Sequence, residues 1–534
     1  MPLALIIGLV IVSVQLGQSI LRYLGEQNEY TQRSDFYAQT ATAISADDAA
    51  EPVLTPTPQV RDTGARFAKR PAVRQQAEPT PVPQGPVTAV AQAFATNTPQ
   101  GPAVTPTPEA TSTPRPLPTL FIYGEPGSGE MGGTAVPTAV SALDRQGYDL
   151  MNILLLGNDG ELTDDGFIRT DTMIIVSINR TTGTVSMLSL PRDLYVYIPG
   201  WTMQRLNLAY IHGQAGGWTD GGFGLMRQTL FYNLGINVHY YAMVNLTGFK
   251  EIVEAVGGVD LAVDCAIQDL PLIGAEVPSE AQRINDDGYY VLPVGYYSMS
   301  GAEALWYARS RHNSSDFDRG RRQQQVLRAV WRKARDNGLL TNLPQLWAEG
   351  QQFIETNLTL EDLLGLVPLA LSLEPSRIED FTLIRTYHTT PWQTPDGDYV
   401  QLPNYETMRP LLQDFYSPPT QSQITVEGAR IAVYNGTTNA NLDRVAAERL
   451  GWEGFGAIAL GAAENADYPA TMLVDYTGQT KGSSLQEIAA SLNVQPENIR
   501  IEPDPNREYD FAVIVGASYN SCTVSGVLPV DSPQ

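Results

Sequence analysis

The sequence predicts an α/β fold, with a mixed sheet covered by helices on both faces and a smaller α/β domain after it. Three observations carry this. Apolar runs of strand length alternate with helical patterns from Tyr148 onward, the alternation restarts after residue 420, and 534 residues exceed what one ordinary core organises. Only two cysteines, Cys265 and Cys522, are present; that excludes a disulfide framework or a CxxC metal site and leaves a bond between the two open.

Residues 1–21, MPLALIIGLVIVSVQLGQSIL, carry no charge over about the length a bilayer crossing needs, so 1–24 is expected to be a transmembrane anchor. No small-residue cleavage pattern follows closely, which argues against a removed signal peptide. No Lys or Arg precedes the run, so the usual basic cytoplasmic flank is missing. Residues 25–147 read as an extracytoplasmic Pro/Thr-rich stalk. Between 51 and 120 lie 15 of the 38 prolines, too many missing backbone donors for a packed core. Drawn out as polyproline II, that stretch would reach on the order of 200 Å.

Folded sequence is expected over 148–420. MNILLLG, DTMIIVSIN and TVSMLSL read as strands, with Arg180 to Gly183 turning between the last two. GFGLMRQTLFYNLG reads as a helix, VHYYAMVN as a strand, and GFKEIVEAVGG as a helix before strand DLAV. Ser300 and Glu303 form a capping box that starts a helix near Gly301 and leaves Arg309 in its last turn. A second helix is expected from about Arg319 to Asp336, capped by Asp318; further helices and a closing strand, IEDFTLI, follow. The second domain, 423–519, reads strand, helix, strand, strand, helix, strand, strand, with no catalytic constellation, and 520–534 is a tail.

Charge singles out one segment. The chain's formal −24 repels nucleic-acid backbones and argues against nucleic-acid binding. Yet Leu305 to Arg335 holds nine basic residues against Asp316 and Asp318, a local +7 in a chain that is otherwise −31. Arg319, Arg322 and Gln323 stand at i, i+3 and i+4 on one helix face, and Arg309 and Arg311 arrive from the preceding helix. Arg321 is expected to face solvent; Arg328, Arg332 and Arg335 read as a solvated basic face.

Other charged residues sit at strand ends. Asp159 follows the first strand, Arg169 and Asp171 open the second, and Arg192 and Asp193 follow the third. Antiparallel pairing of strands two and three puts Arg169, Asp171 and Arg192 on one rim, which a parallel strand ending at Asp159 would complete. Converging guanidiniums repel unless an anion sits among them, and their planar fork suits phosphate oxygens. Asp159 and Asp171 add the hard oxygens that magnesium takes. The constellation asks for a diphosphate. None of the four histidines falls in these patterns; His312 is nearest and reads as a surface residue. GGWTDGGFG reads as a loop, and no GxSxG, HExxH or GxxxxGK[ST] occurs.

The blocks NILLLGND, RTDTMIIVSIN, VSMLSLPRDLYVYIPG, RLNLAY, GGVDL, MSGAEALWYARSRH and SDFDRGRRQQQVL resemble, in order over roughly Tyr148 to Arg335, the LytR-CpsA-Psr family of cell-wall glycopolymer ligases. ARIAVYNGT opens a domain similar to the small one often attached to LytR proteins. The resemblance implies a membrane-anchored, Mg2+-dependent phosphotransferase, with Mn2+ as a substitute metal, acting outside the cytoplasmic membrane. It would move a glycopolymer from a polyprenyl diphosphate carrier to a peptidoglycan hydroxyl as a phosphodiester. By motif, Asp159 and Asp171 would bind the metal, while Arg169, Arg192, Arg309, Arg311, Arg319 and Gln323 would contact the diphosphate. Arg192 and Asp171 would then be catalytic and Asp316 would assist proton transfer; Arg322, Arg205 and Asn207 are secondary candidates around the head group. The first block departs from the family, since GNDGELTDDG places Glu161, Asp164 and Asp165 where a Ser-Arg pair is common. Two alternatives keep the same residues: a polyprenyl diphosphate phosphatase, with water as acceptor, and a non-catalytic wall-binding or regulatory protein.

Overall fold

The computed structural model describes residues 130–131, 134–162, 168–284, 287–312, 314–419 and 426–522. The expected anchor, most of the stalk and all but the start of the tail lie outside the described residues. Among the described residues no helix is long and apolar enough to cross a membrane.

In chain order the first domain contains β1 (Leu150–Asn158), β2 (Thr170–Asn179), β3 (Thr184–Ser189), α1 (Gly221–Leu234), β4 (Tyr240–Val244), α2 (Leu246–Ala255), β5 (Val259–Val263), β6 (Gly295–Met299), α3 (Gly301–Arg309), α4 (Asp316–Asp336), β7 (Ile354–Thr356), α5 (Leu360–Ser372), β8 (Ile378–Thr382) and α6 (Tyr405–Phe415). Six strands form one mixed sheet in the order β7-β4-β1-β2-β3-β8. β1 runs antiparallel to β2 rather than pairing with a parallel neighbour on that side; it shares the direction of β3, so its end still reaches the expected rim.

Side chains alternate along each strand, so each sheet face has its own core. On one face Leu154, Leu156, Met173, Ile175 and Leu188 pack with α1 and α6. On the other, Met151, Ile153, Ile174 and Met187 meet Leu327 and Trp331 of α4 and the leucines of α5. The packed chain begins upstream of Tyr148. Leu143 is 4% exposed in the first core, and Val140 donates its N–H to the Tyr232 carbonyl at 2.9 Å. Single apolar residues among polar ones carry no period, which is why this stretch reads as stalk. A hairpin, Thr389–Gln393 with Tyr399–Pro403, also lacks a clear sequence signal.

α4 is capped by Ser315, not by Asp318. The Ser315 hydroxyl accepts from the Asp318 N–H, and the Asp318 carboxylate accepts from the Ser315 N–H at 2.8 Å, a full capping box. The helix therefore begins three residues early, with Asp316 in its first turn.

The second domain has all seven expected elements: β9 (Arg430–Asn435), α7 (Leu442–Trp452), β10 (Gly456–Ala462), β11 (Met472–Asp475), α8 (Gly482–Ser491), β12 (Ile499–Ile501) and β13 (Phe511–Val515), with strand order β10-β9-β13-β11-β12. It is bound to the first domain by a Cys265–Cys522 disulfide and by α4. Of the basic residues expected on a solvated face, Arg328 and Arg332 fasten the two domains. Arg328 pairs with Asp380 of the first and lies over the Trp452 ring of the second, and Arg332 donates to the Asp260 carbonyl of the first at 2.9 Å and pairs with Glu448 of the second. Arg335, over Trp331, and Lys333, which reaches the Asp260 carboxylate at 2.9 Å, act within the first domain. Arg321, expected at solvent, is 7% exposed and donates to both Asp264 oxygens at 2.8 and 2.7 Å. Its side of α4 faces β5, and a partner 57 residues away leaves no local trace.

Candidate active site

β1, β3, β4 and β8 share one direction and end on one rim, the edge at which open α/β sheets bind ligands. A bulge shapes that rim. Gly157 pairs with Thr172 but Asn158 pairs with Thr170, which leaves Asp171 as the extra residue. Bulges re-aim side chains, and Asp171 accepts from Arg192 Nη1 at 2.8 Å on one oxygen and from Asn207 Nδ2 at 3.2 Å on the other. Asp159 stands just past β1 with its Oδ1 buried and unbonded. Burial, and then the charge of Asp171, raise its carboxyl above the ordinary carboxylate range.

α4 crosses the end of β3 at Gly320. A Cβ there would lie 2.8 Å from Ser189 Cβ, so glycine permits the close approach. The contact carries Arg319 and Gln323 over the rim. Arg319 Nη1 is 3.4 Å from Asp316 Oδ1 and its Nη2 donates to the Asp171 carbonyl at 3.4 Å. Gln323 Nε2 donates to Thr172 Oγ1 at 2.8 Å. Arg192 Nε stands 3.4 Å from the other Asp316 oxygen, so this carboxylate lies between two guanidiniums. Burial lowers the proton affinity of Arg319, and Arg192 and Arg311 lower it further against the opposing pull of Asp316 and Asp171. Arg192 moves up despite its burial because Asp171 and Asp316 flank it. α3, with its capping box in place, brings Arg309, whose Nη1 donates to the Ile273 carbonyl at 2.6 Å.

These groups form the ionic end of a cavity of about 760 Å³. Asp159, Asp171, Arg192, Arg309, Arg311, Arg319 and Gln323 line that end. The body is apolar, walled by Leu155, Ile174 and Val244 of the sheet, Phe249 and Ile252 of α2, Leu305 of α3, and Val326 and Val330 of α4. A site of this kind accommodates a molecule that is doubly anionic at one end and hydrocarbon at the other.

Not every expected residue gathers here. Arg322 is buried and turned away, donating to the Tyr307 and Ser310 carbonyls at the end of α3, so it fastens α3 to α4 rather than lining the cavity. Its i+3 spacing from Arg319 spreads the two around the helix enough for one to meet the rim and the other the neighbouring helix. Asn207 does not line the cavity but holds Asp171. Arg169 also lies outside the lining, yet its charge acts on Asp159. Arg205 sits 3.8 Å from Asp398, toward the hairpin. Glu161, in the acidic departure, accepts from Asn245 Nδ2 and Thr247 N at the start of α2; Asp164 and Asp165 lie outside the described residues. Sequence reading missed Thr172 and Asp269 and could not locate the apolar wall, since each takes its place through partners distant along the chain, as Gln323 does for Thr172 and Arg311 for Asp269.

A model of the LytR_cpsA_psr family matches residues 130–411, and one described as LytR cell envelope-related transcriptional attenuator matches residues 428–519. The polyisoprenyl-teichoic acid–peptidoglycan teichoic acid transferase TagU of Oceanobacillus iheyensis is 35% identical over 221 residues, 41% of this chain and 62% of that protein. The transferase TagT of Bacillus subtilis, which carries the same description, is 33% identical over 235 residues, 43% of this chain and 66% of that protein. The chain thus spans less than two thirds of either relative's length. A solved structure of the LytR-CPS2A-psr family protein YwtF (TagT) with bound octaprenyl pyrophosphate lipid is 28% identical, covering 52% of this chain and 94% of that one with a TM-score of 0.36. Matched by the first family model over more than half of its length, the chain belongs to the LytR_cpsA_psr family.

Proposed function

We propose that this protein transfers a glycopolymer from a polyprenyl diphosphate carrier to a peptidoglycan hydroxyl, forming a phosphodiester and releasing polyprenyl phosphate. The observation that carries this is the cavity, ionic at the strand ends and apolar between sheet and helices. Membership of the family and relatives described as teichoic acid transferases support it. The uncharged run at residues 1–21 supports a single-pass anchor in the cytoplasmic membrane, with the catalytic domain outside.

The head group would sit among Arg192, Arg309, Arg311 and Arg319, with Gln323 donating to it. Asp159 and Asp171 fit a divalent cation, since one buried Asp159 oxygen lacks a hydrogen bond and the neighbouring Asp171 charge makes ionised Asp159 more costly. Two carboxylates suit Mg2+, an ion usually shared between one or two carboxylates, phosphate and water. When bound there, Mg2+ or Mn2+ would supply charge neutralisation at the phosphoryl oxygens.

Arg192 and Arg319 stabilise charge that grows on the bridging and terminal oxygens as polyprenyl phosphate leaves. Asp316, held between these two guanidiniums, would take the proton of the incoming hydroxyl. Arg192→Ala and Asp171→Ala should each slow transfer about 10²- to 10³-fold, measured with a lipid-linked saccharide and a peptidoglycan fragment. Wild-type rates in both variants would refute the proposal. Phosphate release that ignores the acceptor would favour the phosphatase.

A further inference from the structure

We infer that the ring pair His312–Tyr289, at the outer edge of the ionic end, is a saccharide subsite for the first sugar joined to the diphosphate; this rests on the function proposed above. His312 borders the cavity beside Arg311 yet is exposed, and its ring centroid lies 4.2 Å from that of Tyr289, inclined by 36°. One strand pair places both rings. Ile267–Asp269 runs antiparallel to Tyr290–Leu292 with Asp269 opposite Tyr290, so Tyr289 enters next to it. From the same strand, buried Asp269 accepts the backbone N–H groups of Arg311 and His312 at 2.7 and 3.3 Å. A single carboxylate therefore fixes the step from the guanidinium at the ionic end to the ring outside it.

The apolar body takes a hydrocarbon tail, so whatever the diphosphate carries must leave past the polar edge. Pyranose rings present C–H faces that lie on aromatic rings and hydroxyl edges that bond to imidazole nitrogen or phenol oxygen. Rings already held in place lose little conformational freedom on binding. The juxtaposition fits a hexose or hexosamine better than a second anion, because the pair offers ring faces rather than a further guanidinium.

The test titrates the purified full chain with octaprenyl diphosphate and with octaprenyl diphosphate bearing one N-acetylhexosamine. His312→Ala and Tyr289→Ala should weaken the sugar-bearing ligand about two- to tenfold, the scale of one aromatic contact, and leave the bare lipid unchanged. His312→Phe should restore sugar-dependent affinity. Asp269→Ala should weaken both ligands, and Asp269→Asn, which keeps an acceptor oxygen, should spare them. Equal weakening of both ligands by the ring variants, or of neither, would overturn the subsite while the head-group reading stands. A wild-type chain that bound neither ligand would overturn that reading and the subsite with it.

Discussion

Replacing Asp264 by Ala tests whether Arg321 is a surface cation or a buried fastener of the catalytic helix. The side chains are 8% and 5% exposed and joined by two hydrogen bonds of 2.8 and 2.7 Å. An exposed pair of this kind contributes about 0–1 kcal/mol. Removing one partner of a buried pair strands a charge and costs about 3–5 kcal/mol, about a fifth or more of a typical domain's stability of about 5–15 kcal/mol. Arg321→Met/Asp264→Leu, which leaves no charge behind, should recover much of the loss. Arg321 lowers the Asp264 carboxyl against the upward push of burial. The folded value thus lies below the unfolded one, so this contribution is complete above the unfolded value of about 4 and fades as pH falls toward the folded one. Urea denaturation followed by tryptophan fluorescence, repeated between pH 3 and 7, would measure both effects. A loss below about 1 kcal/mol in the Asp264→Ala chain would refute the buried-pair argument.

Gly320→Val should push α4 from β3, costing about 1–3 kcal/mol in overpacking and, by displacing Arg319 and Gln323 about 1 Å, about 10²-fold in transfer rate; normal turnover with normal stability would contradict the close approach. His388 is buried and His239 half-buried, each with Nδ1 accepting an N–H, from Ile384 and Asn152 respectively, and desolvation lowers both to about 4. The unfolded chain then binds more protons between about 4 and 6.5, so melting temperature should fall as pH drops through that window, and His388→Gln should flatten the fall. Cys265→Ser should destabilise the chain by about 2–5 kcal/mol, with reductant ceasing to matter in the variant; an unchanged melting curve would count against the bond between the domains.

Much of the architecture was legible because strand and helix periods are local. The Ser300–Glu303 box, the strand runs from Met151 to Leu190 and the seven elements of the second domain all announce themselves within a dozen residues. Arg309, Arg311, Arg319 and Gln323 were legible as a group because helical spacing gathers them near Asp316. Arg321 and Arg322 were not, because the same spacing is silent about what stands opposite. Asp264 and the carbonyls that end α3 decide their roles, and both lie outside the helix that carries them.

By itself the sequence determined which segments fold, in what secondary structure, and that arginine and carboxylate converge near a run of strand ends. Tertiary structure alone decided which arginines face the cavity and which fasten the helix, how a one-residue bulge turns Asp171 into the rim, and where the apolar body lies. The division is physical. Backbone hydrogen bonding and side-chain period act over a few residues, whereas desolvation and ion pairing depend on whatever packing brings within a few ångströms, regardless of its distance along the chain.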